Sequence, residues 1–364
     1  MPILSPYEDR PQTAFWRSGV QQSDPRAMLD LYVKRFDIAP TDRIMTAGSC
    51  FAQHIARHLR ASGFTVLDGE LAPGGLTPEI ARTFGYALYS ARYGNIYTAR
   101  QLLQLVQEAI GRFSPADPVW EKDGRFYDAL RPSVEPEGLD TPEEVRVHRD
   151  YHLRVVRRLL RECDILVFTL GLTETWIHQE SGTVYPTAPG TIAGRYDPLV
   201  HAFKNLSFAE VHDDFVRVRA ILKRINPSVR FLLTVSPVPL TATAAGRHVL
   251  QSSTYSKAVL RAVAGQLQAD FEDVDYFPSY EIITNPAARS GFFEPNLRSV
   301  EPDGVASVMR VFFHAHGIEG ADVEAAAPER QPAFDTAAEV EVQAEKDDIV
   351  CEEMLLETFA GVRR

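Results

Sequence analysis

Ile165-Leu166-Val167-Phe168-Thr169-Leu170 is a nearly unbroken apolar run, closed at once by Gly171. A strand with no polar alternation is covered on both faces, as happens in the middle of a parallel sheet flanked by helices. Four more short runs read as strands of the same sheet: Arg43-Ile44-Met45-Thr46, Phe64-Thr65-Val66-Leu67, Phe231-Leu232-Leu233-Thr234-Val235 and Val274-Asp275-Tyr276-Phe277. Helical spacing of apolar residues falls between and after them, over 51–60, 99–110, 142–160, 208–225, 254–267 and 302–313. Ser62-Gly63 ends the first of these helices. Thr141 with Glu144 forms a capping-box pattern at the start of the third. This alternation predicts an α/β fold: a doubly wound, flavodoxin-like parallel sheet of about five strands with helices on both faces. Residues 113–140 and 182–202, rich in turn formers, are expected to be irregular insertions.

The remaining stretches are arranged about that body. Phe15, Trp16, Leu29, Leu31, Tyr32 and Phe36 make residues 1–40 too apolar for a free arm, so a lead-in packed on the body at 41–317 is expected. From Glu319 to Arg364 there are 13 acidic and 4 basic residues. The tail thus carries −9 of the net −11, and the rest is nearly neutral. No basic stripe marks a nucleic-acid partner. The acidic excess reads as a solvated linker over 318–348. Residues 349–364 then read as a short amphipathic helix, too short to be stable alone and expected to dock on the body or on a partner. No apolar run approaches the ~18 residues of a membrane span, and Met1-Pro2-Ile3-Leu4 lacks a secretory pattern. Three scattered cysteines give no disulfide framework, so a cytoplasmic protein with usable thiols is expected.

Chemistry concentrates in Thr46-Ala47-Gly48-Ser49-Cys50-Phe51-Ala52-Gln53-His54, a strand, a tight turn and a helix start. Such a turn lifts its apex out of the sheet, and the first helical N–H groups favour a thiolate there. Gly171-Leu172-Thr173-Glu174, Ser236 and Ser279-Tyr280-Glu281 also fall at predicted carboxyl ends of strands, where ligands bind in sheets of this kind. One composite site is therefore expected, with Cys50 as nucleophile and Ser49 as the alternative.

These residues carry a resemblance. Gly48-Ser49-Cys50-Phe51-Ala52 is the signature of the GSCFA family, a distant relative of the SGNH (GDSL-type) hydrolases. Tyr93-Gly94-Asn95-Ile96-Tyr97-Thr98, Thr169 to Trp176, Val235-Ser236-Pro237-Val238, Ser256-Lys257 and Tyr276 to Glu281 resemble the same family in the same order. The resemblance implies that Cys50 occupies the position of the SGNH nucleophilic serine. It also implies oxyanion or substrate contacts from Gly94, Asn95, Gly171 and Thr173. It exposes a departure as well: Asn296-Leu297-Arg298-Ser299 stands where such proteins carry Asp-x-x-His before the last helix. With that base missing, His248 is the first substitute and His54 the second. Glu174 or Glu281 would serve as a carboxylate base or orient a histidine, and Arg298 would contact substrate.

Cys50, His54 and His58 at four-residue spacing do not form a metal site, because three ligands on one straight helix span ~12 Å. The reading is an acyl-transfer enzyme, O-acyltransferase or esterase, acting on a carbohydrate or other hydroxyl. It needs no tightly bound cofactor, and acyl-coenzyme A is a possible donor substrate. The alternative is a non-catalytic carbohydrate- or ligand-binding module that has lost its Asp-x-x-His.

Overall fold

The structure is a computed structural model that describes residues 5–318 and 351–360. Strand β1 (Ile44–Gly48) leads into helix α1 (Phe51–Ala61), followed by α2 (Pro78–Thr83) and α3 (Ala99–Ala109). A hairpin of β2 (Val119–Lys122) and β3 (Arg125–Asp128) precedes α4 (Pro142–Glu162) and β4 (Ile165–Leu170). Then come β5 (Glu174–His178), β6 (Val184–Tyr185), β7 (His201–Asn205), α5 (Phe208–Ile225) and β8 (Arg230–Val235). The body closes with α6 (Val249–Asp270), β9 (Val274–Phe277), α7 (Ser279–Thr284) and α8 (Pro302–Ala315).

The central sheet is parallel, in the order β1-β4-β8-β9. It has four full strands rather than five. The expected second strand survives as a single parallel bridge from Val66 to Ile44 on the outer side of β1. Pairing stops there because the chain turns away, with the Gly69 N–H donating to the Ser90 carbonyl. Counting that bridge, the order is the doubly wound, flavodoxin-like one. Helices cover both faces. On one side α3, α4, α5 and α6 pack Leu102, Val156, Phe215 and Leu260 onto Phe168 and Leu233. On the other, α1 and α8 pack Phe51, Ile55, Val308 and Phe312 onto Ile165 and Val167, together with Tyr32 and Ile38.

The two stretches expected to be irregular contain sheet instead. In 113–140, the Asp123-Gly124 pair has positive φ at both residues and closes the β2–β3 hairpin, which is what a two-residue turn needs to match strand twist. In 182–202, β6 and the start of β7 pair antiparallel with β5. The expected linker at 318–348 lies outside the described residues beyond position 318.

A buried polar network fastens the hairpin region to the body. Arg149 on α4 reaches Asp128 at 3.2 Å and is paired with Glu108. His152, with no exposed surface, places Nδ1 2.8 Å from Glu70 Oε2. Burial, with Arg131 nearby, pushes the His152 pKa down to about 4, so the neutral ring donates to the carboxylate. An unfolded histidine titrates near 6.5. Between about 6.5 and 4 the unfolded chain therefore binds a proton that folded His152 does not, and stability falls as pH falls through that window. His54, pushed down to about 3 by burial, acts with the same sign. Chemical denaturation at pH 7 and pH 5 is expected to show a loss of which about 2 kcal/mol comes from His152, so the loss should be smaller by that amount in His152→Gln.

Candidate active site at the strand ends

β1 ends at Gly48, whose φ of +139° and close approach to β4 exclude a side chain. A Cβ there would lie 2.5 Å from the Thr169 carbonyl oxygen. Gly171, at the end of β4, is under the same constraint, since a Cβ would meet Ser49 Cβ at 2.8 Å. These two contacts set the 49–50 turn directly against the end of β4. Cys50 occupies the N-cap position of α1 with helical backbone angles and leaves its side chain out of the capping role. It is only 6% exposed.

Polar side chains converge around it from separate elements. Asn95, in the loop before α3, is held by Gln53 Nε2 at 3.2 Å and by the Tyr89 hydroxyl, both directed at its carbonyl oxygen. The Asn95 amide N–H₂ donates to the Glu352 carboxylate. Lys257 on α6 is 4% exposed and donates to the Gly171 carbonyl at 2.8 Å. Burial pushes its pKa down to about 8. Arg298 comes from the loop before α8, where Asn296 Oδ1 accepts from the Arg298 N–H at 2.9 Å and fixes the turn. The Arg298 guanidinium acts to lower the Cys50 pKa.

The segment 351–360 lies over this cluster. Its 3₁₀ helix, Glu352–Phe359, begins just after Cys351. Glu352 is 3% exposed. Its carboxylate accepts from Asn95 Nδ2, from Tyr97 Oη at 2.7 Å and from Ser133 Oγ at 2.5 Å. Glu353 accepts from Arg298 Nη2 at 3.3 Å, and burial lifts its pKa to about 8. Cys351 Sγ lies 3.6 Å from Arg298 Nη2. The neighbouring Cys50 thiol and the Arg298 guanidinium bring Cys351 down to about 6. The neighbouring Cys351, then burial, raises Cys50.

The predicted residues divide into those that meet and those that do not. Cys50, Ser49, Asn95, Gly171 and Arg298 meet at the ends of β1 and β4, with Gly94 backing Glu352, whose Oε1 is 3.4 Å from where a Gly94 Cβ would lie. Ser49 Oγ is buried with no hydrogen-bond partner among the described residues. Thr173 bonds through its backbone N–H to Ser256 Oγ at 3.0 Å, and its own hydroxyl is buried and unpartnered. Ser236 Oγ accepts from the Val238 N–H at 3.3 Å, a turn contact.

The four candidate bases all have other engagements. His248 is an exposed N-cap whose Nδ1 accepts from the Leu250 N–H at 3.1 Å. His54 packs its ring on Phe51 at 5.6 Å between centroids. Glu174 accepts from Thr243 Oγ1 at 2.8 Å. Glu281 pairs with Arg261 and accepts from Tyr276 Oη at 2.7 Å. A concavity between α3, α4 and β6 is lined by Gln101, Glu108, Arg149 and Val184. It is not lined by the Cys50 turn.

The GSCFA family matches residues 43–312, from the first strand to the last helix. That stretch is most of the chain and contains the turn and the loops just described. The chain belongs to the GSCFA family. Comparison with curated proteins finds no match. In this GSCFA protein, sequence reasoning missed Lys257, Glu352, Glu353 and Cys351. The first was legible in the Ser256-Lys257 pair. The other three stood together in Cys351-Glu352-Glu353, at the head of the segment expected to dock. No helix among the described residues is long and apolar enough to cross a membrane.

Proposed function

We propose that this GSCFA protein is an acyl-transfer enzyme, O-acyltransferase or esterase, on an SGNH-like scaffold, with Cys50 as nucleophile. Its acceptor is a carbohydrate or other hydroxyl, and its donor class is an acyl thioester such as acyl-coenzyme A. The observation that carries the reading is the convergence of Asn95, Lys257 and Arg298 on the Cys50 turn from three separate elements. Ser49 is less suited to the role, being buried without any acceptor for its proton among the described residues.

In this reading Cys50 Sγ attacks the acyl carbonyl carbon once the tail has moved aside. The developing oxyanion takes hydrogen bonds from Asn95 Nδ2, the group that holds a Glu352 carboxylate oxygen in the docked state, and charge stabilisation from Arg298. The thiol leaving group departs, leaving a Cys50 thioester. Neutral Lys257 then takes the proton of the incoming hydroxyl as its oxygen attacks that thioester, the C–S bond breaks, and Lys257 returns the proton to the departing Cys50 sulfur. Two of the groups that raise Cys50, Cys351 and Glu353, belong to the tail, whereas Arg298 belongs to the body. Undocking therefore favours the Cys50 thiolate.

The test is intact-protein mass spectrometry after incubation with a set of acyl-coenzyme A thioesters and an activated ester. A covalent acyl adduct that disappears in Cys50→Ala is expected. No adduct from any donor on folded protein would contradict the proposal and leave the ligand-binding module as the better account. Dependence of product release on an added sugar acceptor separates transferase from hydrolase.

A further inference from the structure

We propose that Asn95, Tyr97 and Ser133 form a carboxylate-binding pocket beside the Cys50 turn. The docked tail fills it with Glu352, and a free carboxylic acid takes its place when the tail leaves. The three donors divide the carboxylate between them. Its Oε2 accepts from Asn95 Nδ2 and from Tyr97 Oη at 2.7 Å, and its Oε1 accepts from Ser133 Oγ at 2.5 Å. Gly94 brings bare backbone against the same group, since a Cβ there would lie 3.4 Å from Oε1.

The body, not the tail, sets these donors in place. Gln101 on α3 clamps their loop, accepting from the Tyr97 N–H at 2.9 Å and donating to the Asn95 carbonyl at 2.9 Å. The Ile96 N–H donates to the Gly48 carbonyl, and the Tyr97 carbonyl accepts from the Gly171 and Leu172 N–H groups. These bonds tie the pocket to the ends of β1 and β4, where Cys50 stands. The two hydroxyls, by contrast, hold nothing in the body. Among the described residues, Tyr97 Oη has Glu352 and, at 4.0 Å, Cys351 Sγ as hydrogen-bond partners, and Ser133 Oγ has Glu352. The family match over 43–312 contains all three donors and stops short of Glu352. The pocket thus belongs to the GSCFA body, and its occupant to the segment laid over it.

The chemistry of the donors narrows the ligand. A buried donor left without an acceptor is costly, so the emptied pocket is best filled by a group with two acceptor oxygens. A carboxylate offers both at the spacing Glu352 already shows, and its charge makes each bond stronger than a neutral carbonyl would. Two sources present this group at an acyl-transfer site: the acid freed when the acyl group is hydrolysed, and a carboxylate carried by an acidic sugar. The choice of source rests on the function proposed above, whereas the carboxylate site itself does not.

The experiment is a ligand-observed NMR titration of the full-length Glu352→Ala chain with acetate, butyrate and glucuronate, and with glucose as the neutral control. At least one carboxylate is expected to bind with a Kd of about 0.1–10 mM, and glucose is not. In the wild-type chain the same ligand must displace Glu352, so its apparent affinity should be about 10–100-fold weaker. Adding Tyr97→Phe or Ser133→Ala to Glu352→Ala should weaken binding by about tenfold in each case. Tighter binding of acetate or butyrate assigns the pocket to the freed acid, and tighter binding of glucuronate assigns it to an acidic sugar. No binding of any carboxylate would overturn the proposal. So would equal affinity in the wild-type and Glu352→Ala chains, or binding unchanged by both hydroxyl deletions, which would put the anion elsewhere, such as on Arg298. Nothing is turned over in this titration, so carboxylate binding without any Cys50 adduct would keep the pocket and discard the acyl-transfer reading.

Discussion

Lys257→Met is expected to slow acyl transfer through Cys50 by about 10²–10³-fold while leaving the protein folded. The magnitude follows from removing both a proton acceptor and a positive charge from a site shielded from water. Folding should survive because the change deletes a buried cation whose one described hydrogen bond is to the Gly171 carbonyl, and an unpaired ammonium is costly to bury. The pH profile distinguishes this role from a structural one. With Lys257 brought down to about 8 by burial, its neutral, proton-accepting form gains as pH rises through that value. Turnover in the wild-type chain should therefore rise with pH and level off. In Lys257→Met the limb should disappear, whereas a loss of activity with the limb intact would assign Lys257 to support of the Gly171 turn.

Glu352→Ala should speed alkylation of Cys50 by iodoacetamide about 10–100-fold. The docked carboxylate accepts three hydrogen bonds, from Asn95, Tyr97 and Ser133. Bonds to a charged group contribute about 1.5–3 kcal/mol each, but the freed donors regain water, so a net loss of about 1.5–3 kcal/mol is reasonable. That shifts the docked-to-released ratio by the stated factor. Cys50 then gains exposure and loses the thiol partner that raises it. Quantified by peptide mass spectrometry, an unchanged Cys50 rate would show that the segment does not limit access. The same variant should bring the onset of acylation forward without altering its dependence on Lys257.

How much of this was legible in the sequence depends on the range of each interaction. The apolar run ending at Leu170, the Thr141–Glu144 capping box and the Gly48-Ser49-Cys50 turn are local, and the structure has them where periodicity and capping rules put them. The hairpin was legible too, in Asp123-Gly124, but the surrounding Pro and Gly residues concealed its strands. The second strand failed for a non-local reason, since nothing in Phe64 to Leu67 reveals that the chain leaves the sheet toward Ser90. The site repeats this division. Cys50 stands in a strand-to-helix turn whose local pattern singled it out, whereas Asn95 was singled out by the family resemblance. His248 occupies a loop near a strand end, yet its ring is spent on capping α6. The absence of Asp-x-x-His drew attention to Arg298, but its partners lie more than 50 residues away along the chain, in a segment whose docking depends on three-dimensional complementarity.

The most direct test is to locate the acyl group on the full chain. After brief exposure to a reactive acyl thioester, the protein is quenched in acid, digested and sequenced by mass spectrometry. The account predicts the acyl group on Cys50 Sγ, in larger yield in Glu352→Ala than in the wild-type chain, with Cys351 unmodified. An acyl group on Cys351, the more acidic thiol of the docked state, with Cys50 left as a free thiol would contradict it.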